Sequence, residues 1–220
     1  TLVLFTLLTL IPQVVWGQGT EITVGTHHYL LNDDGDVHTA TFIGSSSQSI
    51  IKIPSEIPHE GTRYTVTAIG ENAFSNCHEL NLTIPSTITT IDENAFNGAS
   101  IKNITVNNDN ETYQSIDDVL FTKSWKTLIC YPANKEATEY TITSDVTSIQ
   151  SNAFKNCKYL QTLVFSSSSL VSETHIDFST VEAYKDSKLS IRYQGVAYYQ
   201  NGNKNNWKVG NGTGGSGLVE

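Results

Sequence analysis

Methionine is absent from the 220 residues, prolines number 5 and cysteines 3, and basic residues are outnumbered by acidic ones, 13 against 22, for a formal charge of −9. No lysine or arginine run occurs, so the attraction that holds phosphate backbones is missing and nucleic acid is not expected as a partner. A negative balance of this size keeps a surface soluble and says little about fold. Cys77, Cys130 and Cys157 show no CxxC or Cys/His spacing of the kind zinc requires. His78 beside Cys77 reads as repeat filler. An odd cysteine count predicts at least one thiol that is free or paired elsewhere. GxSxG, HExxH and P-loop motifs are also missing. Asp92, Glu93, Asp117 and Asp118 fall in turns or hairpins, where solvated carboxylates are expected. The chain therefore reads as no enzyme, with no catalytic or metal-binding residues and no cofactor.

Long apolar runs are equally scarce. One stretch, from Leu2 to about Val15, carries no charge, and it is too short for a clear membrane span. It ends in Val15-Trp16-Gly17, which suits a signal peptidase cut before Gln18. The expectation is a signal peptide over 1–17, a secreted or cell-surface product, and no membrane span in the mature chain. A buried core segment and a membrane anchor are the competing readings. At the other end, residues 210–220, "GNGTGGSGLVE", read as a flexible linker or tail.

What the chain does have is repetition. "TAIGENAFSNCHEL", "TTIDENAFNGASI" and "TSIQSNAFKNCKYL" align on their phenylalanines as Ile69/Asn72/Ala73/Phe74/Cys77/Leu80, Ile91/Asn94/Ala95/Phe96/Ala99/Ile101 and Ile149/Asn152/Ala153/Phe154/Cys157/Leu160. Each copy leads into a short alternating segment, "LTIP", "ITV" or "LVF". A period of roughly 20 to 29 residues with one strand and one compact turn per unit marks a leucine-rich-repeat solenoid. One unit cannot cover its own apolar residues, whereas stacked units align them into a continuous core. Phe is the large plug, Ala leaves room for it, and the Cys/Ala position takes a small buried group. Cys77 and Cys157 occupy one register in separate coils, too far apart for a disulfide.

The residues after each strand, Pro54, Pro85, Asn107, Thr143 and Ser166, mark the coils. The first step is long because of "PHEGTRYTV", 58–66, with Gly61 at a hairpin turn. The third is longer still and contains "SIDDVLFTKSWKTLICYP", read as a hairpin or an extra coil ending at Pro132. Alternation points Leu82, Ile84, Ile104, Val106, Leu163 and Phe165 inward. Lys52, Thr83, Thr105, Thr141 and Val164 then form an exposed row, joined by Cys130 if Pro132 is equivalent to Pro85. This row is the candidate binding surface, and Cys130 is its candidate reactive thiol.

The expected organisation is a signal peptide over 1–17, an N-terminal β-hairpin cap over 20–49, a solenoid over 50–166 with an insert at 108–142, a C-terminal cap region over 167–209, and the tail. In the cap, "HHYLL" and "VHTATFI" flank "NDDGD"; Asp33, Asp34 and Asp36 lack the further ligand spacing of a calcium loop and read as a turn. "KLSIRY" reads as one more strand, preceded by a short helix or turn in "FSTVEAYKDS". "YQGVAYYQNGNKNNWK" reads as an edge or cap in preference to an aromatic sugar-binding surface. Asn-x-Ser/Thr sequons occur at Asn81, Asn103, Asn110 and Asn211.

The stretch "IPSEIPHEGTRYTVTAIGENAFSNCHELNLTIPSTITTIDENAF" resembles the BspA-like leucine-rich-repeat family, whose units look like "VTSIG-x-x-AF-x-x-C-x-x-L-x-x-V-x-IP". "DDVLFTKSWKTLICYPANKEATEYTI" is similar to a segment common in that family. The likeness covers about residues 37 to 166. Departures are Ala99 for Cys, Asn107, Thr143 and Ser166 for Pro, and a C-terminal region that does not match the family's units. It implies a right-handed solenoid, mainly β with short helical turns, β-hairpin insertions and a β N-terminal cap. It also implies a secreted or surface location, protein binding and adhesion to host or extracellular proteins, and it brings no catalytic residues. A structural spacer or subunit of a surface assembly, or a glycan-binding module, is the alternative. The expected partner is an extracellular protein or surface glycan, met where the repeat is interrupted, at 58–66 and 108–142.

Overall fold

Three alternating segments open the described chain as an antiparallel meander: β1 (Thr20–Val24), β2 (His27–Asp34) and β3 (Val37–Ser45). The computed structural model describes residues 19–166 and the strands at 190–193, 196–200, 207–209 and 218–219. Tyr29 and Leu31 on β2 and Ala40 and Phe42 on β3 turn into the core, while Asn32 and Val37 stay outside. The period-2 pattern of "HHYLL" and "VHTATFI" thus decides the inward face. Gly35, at φ 61°, follows the last residue of β2 in the turn, a backbone conformation that glycine adopts without steric cost. β1 adds a strand beyond the two that sequence patterning picked out.

The solenoid follows. β4 (Ile50–Lys52), β5 (Glu56–His59), β6 (Thr62–Ile69), β7 (Leu80–Ile84), β8 (Thr90–Ile91) and β9 (Ile101–Val106) form two parallel rows and one hairpin. In the first row β4, β7 and β9 pair in the register Lys52↔Thr83↔Thr105, offsets of 31 and 22 residues by subtraction. These match the steps read from Pro54, Pro85 and Asn107. In the second row β3, β6 and β8 align Phe42↔Ile69↔Ile91. The long first step is the β5–β6 hairpin, whose His59↔Thr62 pair leaves Glu60 and Gly61 in the turn at φ 47° and 84°. Two positive φ values in a two-residue loop are what a type I′ turn requires, and Gly61 supplies the second without strain.

Between the rows each coil passes through its Asn-Ala-Phe turn. Bonds three residues apart close it: Ser75 N to Asn72 O and Cys77 N to Phe74 O in one coil, Ala95 N to Asp92 O and Ala99 N to Phe96 O in the next. Such i→i+3 bonds make consecutive tight turns, and among the described residues there is no helix. Phe42, Phe74 and Phe96 stack with ring centroids 5.5 and 5.4 Å apart, so the repeated phenylalanine becomes a ladder along the solenoid axis. Full burial of one such side chain contributes about 1.5–3 kcal/mol.

After β9 the pattern breaks. β10 (Tyr113–Ile116), β11 (Val119–Thr122) and β12 (Thr127–Cys130) run antiparallel in sequence. The regular coils resume with β13 (Glu139–Ile142), β14 (Ser148–Ile149) and β15 (Thr162–Phe165). β12 pairs parallel with β14 through Leu128↔Ile149. The insert is therefore both a hairpin and an extra coil. β13 and β15 align Thr141↔Val164, a step of 23, and β15 pairs in parallel with β16 (Ser190–Tyr193). The strand read in "KLSIRY" is present; "FSTVEAYKDS" lies outside the described residues, as do 1–17. The sheet continues antiparallel through β17 (Val196–Gln200), β18 (Trp207–Val209) and β19 (Leu218–Val219). β19 falls in the 210–220 stretch whose composition reads as a linker, and β18 lies just before it.

The buried residues form two clusters. One runs from Tyr29 through Phe74 to Val106 and takes in Ile129 and Cys130; the other holds Leu128, Tyr131, Phe154, Cys157, Leu163 and Phe165. The insert joins them, because adjacent residues of β12 contribute to different clusters. Among the described residues no helix is long and apolar enough to cross a membrane.

Candidate functional site: an interrupted strand row and an inserted hairpin

Alternation leaves a polar row on the outer side of the first strand row. Lys52, Thr105 and Thr141 are exposed, and Thr83 and Val164 are half-buried. Lys52, Thr83 and Thr105 are direct ladder neighbours, as are Thr141 and Val164. The two groups do not join into one strip, because β9 and β13 belong to different sheets. At the break the insert takes over: Val106 N donates to Ser115 Oγ on β10 at 3.0 Å, capping the free edge of β9.

Cys130 does not belong to this row. It is 5% exposed, and the Leu128↔Ile149 register pairs β12 with β14, whose Ile149 is the repeat counterpart of Ile69 and Ile91 and not of the residues in the Lys52–Thr83–Thr105 row. Pro132 is thus not the counterpart of Pro85. Tyr131 N donates to Ala153 O at 2.8 Å, and the Tyr131 ring lies 5.5 Å from Phe154, so Tyr131 fills the place that phenylalanine holds in other coils. Cys130 follows the chain inward, its Sγ 3.7 Å from Tyr131 O. The alternation rule failed here because it fixes which residues share a face, not which of two rows the strand joins.

All three thiols are free and buried. Burial pushes Cys130 from 9.0 up to about 12, and raises Cys77 and, more strongly, Cys157. A thiolate is the reactive form, so none of them is an activated nucleophile. Native protein at pH 8 is expected to resist a thiol reagent that modifies all three after unfolding; rapid labelling of Cys130 would contradict its placement. The linkage has a definite sign. Unfolded thiols ionise from about pH 9 while folded Cys130 stays protonated to about 12, so the stability present below pH 9 declines across that window as pH rises.

The insert is held by side chains that the repeat lacks. Its first turn carries Asp117 and Asp118 at φ 48° and 66°, a conformation aspartate tolerates better than most residues. Lys135 fastens this turn, with Nζ 2.7 Å from Asp117 O and 3.2 Å from Asp118 Oδ2. Asn110 anchors its base. The side chain is fully buried, donating from Nδ2 to Pro85 O and Ile88 O at 2.9 and 3.0 Å and accepting at Oδ1 from Thr112 N and Tyr113 N at 2.9 and 2.7 Å. Tyr113 adds a cross-coil bond, its hydroxyl accepting from Ile91 N at 3.1 Å.

The second turn, between β11 and β12, carries the residue that sequence reasoning passed over. Trp125 has φ 65° and is 38% exposed, one of three large hydrophobic residues at the described surface. The available signal was an aromatic residue between two lysines in "TKSWK".

Comparison with known proteins bears on the frame. The chain matches a BspA type leucine rich repeat region in 6 copies, over residues 42–135 and 130–192. No curated protein matches. Similar solved structures include the pneumococcal vaccine antigen PcpA, at 16% identity over 80% of this chain and 71% of that one, TM-score 0.45. A leucine rich cell surface protein from Faecalibacterium prausnitzii A2-165 is 19% identical over 68% of this chain and 71% of that one, TM-score 0.36. A leucine-rich repeat protein from Bacteroides capillosus ATCC 29799 is 21% identical over 67% of this chain and 99% of that one, TM-score 0.39.

Proposed function

Because the chain belongs to the BspA-type leucine-rich repeat family, we propose that it is a secreted or cell-surface binding module that uses a rigid solenoid to display its inserts, without catalysis. One observation carries the reading. In the regular coils Ile, Phe, Leu and Cys are consumed by packing, whereas the insert is tied to the frame by Asn110, Tyr113 and Lys135 and presents exposed side chains beyond it. Loops positioned by a rigid scaffold are where binding residues concentrate. The β5–β6 hairpin and the Lys52–Thr83–Thr105 strip are secondary surfaces of the same kind. The division into cap, solenoid with insert, C-terminal cap region and tail belongs to this proposal, with residues 20–49 shielding the first coil.

A screen of the full chain against immobilised extracellular matrix proteins and glycans tests the reading. Saturable binding is expected, weakened at least tenfold when exposed residues of 58–66 and 108–142 are replaced and retained when exposed Ser75 and Asn76 of a repeat turn are replaced. Self-association with no ligand across the screen would replace the binding module by a structural spacer.

A further inference from the structure

Four consecutive exposed residues, Lys123, Ser124, Trp125 and Lys126, form the outer turn of the insert. We propose that this turn is a contact site for an acidic polysaccharide, with the Trp125 ring against a sugar face and the two lysines against carboxylate or sulfate groups. The proposal rests on the binding-module reading and names the ligand class of one of its surfaces.

The first observation is conformational. A bulky aromatic residue at φ 65° is an outlier, and strain of this kind persists only where the surroundings hold it in place. They do so here. Trp125 N donates to Thr122 O at 2.9 Å, Thr127 N to Thr122 Oγ1 at 3.1 Å, and Lys123 N to Thr112 O at 2.7 Å. Gln114 Nε2 donates to Lys123 O at 2.8 Å. The turn is therefore rigid before any ligand arrives. Asparagine or glycine would relieve the strain, yet the position holds a tryptophan whose ring is left partly in water. Phe121, itself buried, lies against it with centroids 5.7 Å apart and supports the ring from the frame side.

The second observation is charge. On a chain of −9, residues 119–134 contain Lys123 and Lys126 and no Asp or Glu. The four turn residues span no more than about 11 Å of backbone, so two positive charges lie on one turn. The segment bonded to Lys123 through Asn108 O and Thr112 O also carries the exposed carboxylates of Asp109 and Glu111, which a ligand's anionic groups must avoid. Lys123 Nζ also donates to Asn108 O at 3.1 Å, which orients it and leaves further N–H groups for a ligand. A neutral sugar gains nothing from these charges, whereas an acidic one pairs with them.

Composition separates a saccharide from a protein partner. Protein interfaces are depleted in lysine and serine and favour arginine beside their aromatic anchors; this turn has two lysines, a serine and no arginine. A compact ammonium suits an isolated carboxylate or sulfate as a point charge. A pyranose ring, with its axial C–H bonds on one face, suits a flat aromatic surface.

The test is calorimetric titration of the full chain with hyaluronan and chondroitin sulfate oligosaccharides, neutral dextran and polyglutamate. Trp125→Asn is the informative variant because asparagine accepts the left-handed backbone. Binding to the acidic oligosaccharides is expected, weakened at least tenfold by Trp125→Asn and by Lys123→Gln/Lys126→Gln, with the double variant losing most of the salt dependence. The midpoint of unfolding of Trp125→Asn should stay level or rise, since the strain is removed; a drop would mean that the ring serves packing and would overturn the role given to it. Equal binding to dextran, stronger binding to polyglutamate, or unchanged affinity in Trp125→Asn would each overturn the proposal. Capture of an extracellular protein through another face with no acidic saccharide bound would end this inference and leave the binding module standing; a blank result throughout would end both.

Discussion

Replacing Asn110 with alanine is expected to destabilise the protein by about 3–5 kcal/mol, as the unfolding midpoint in denaturant would show. The amide is fully buried, and all four of its hydrogen-bonding positions are used: two donors on Pro85 O and Ile88 O, two acceptor positions on Thr112 N and Tyr113 N. Alanine fills less space and leaves those four backbone groups without their partner. Each buried unsatisfied group costs about 1–3 kcal/mol, and relaxation keeps the sum below four times that figure. Asn110→Asp should be at least as harmful, because it sets a carboxylate oxygen against two carbonyl oxygens. The damage should concentrate where the insert leaves the preceding coil, so amide exchange ought to quicken in β10 and β11 before it does in β7. A loss below about 1 kcal/mol would mean that these bonds do not hold the insert. The same geometry decides the sequon. Nδ2 of Asn110 is enclosed and occupied, so in a host that glycosylates secreted chains the folded protein should carry no glycan there.

Asn110 also shows how far the sequence could be read. In sequence it belongs to an Asn-x-Thr triplet, a pattern that normally lies at the surface; its burial depends on carbonyls 22 and 25 residues earlier. Periodicity was enough for Ile69, Phe74 and Leu80 and for Ile149, Phe154 and Leu160, because a repeat states its core position several times over, whereas Ile91 and Phe96 of the middle copy are only partly buried. The 31-, 22- and 23-residue offsets were legible for the same reason, and the ladder registers reproduce them. Cys130 occurs in a segment without a second copy. "LICYP" looks like "LTIP", and only the long-range pairing of β12 with β14 separates them. β1 was not legible because "TEITV" is mostly exposed and gains its strand by pairing with β2. Trp125 was missed because neither its φ nor its exposure follows from neighbouring residues. The candidate site was thus located by the interruption of the pattern, while its chemistry came from tertiary placement.

The ladder of phenylalanines supplies the other large effect. Phe74→Ala should cost about 3–5 kcal/mol, in the usual range for a fully buried phenylalanine. The ring stacks on Phe42 on one side and Phe96 on the other, at interplanar angles of 27° and 11°. Its removal therefore opens a void that touches three coils. Collapse is difficult, because each coil is fixed to the next by backbone bonds such as Phe74 N to Ala95 O and Asn72 N to Asn94 O. Phe96 makes the comparison that tests this reasoning. It occupies the same repeat position and is only partly buried, so Phe96→Ala should cost clearly less than Phe74→Ala in the same denaturant series. If the two losses are equal, the repeat position alone sets the energy and burial does not, which would contradict the stacking account. In a solenoid each unit is stabilised chiefly by its neighbours. Phe74→Ala should therefore uncouple the N-terminal meander from the later coils, and exchange in β2 and β3 should accelerate while β15 keeps its protection. The insert lies beyond that break, so the turn that carries Trp125 should keep its shape at temperatures where β2 and β3 already open.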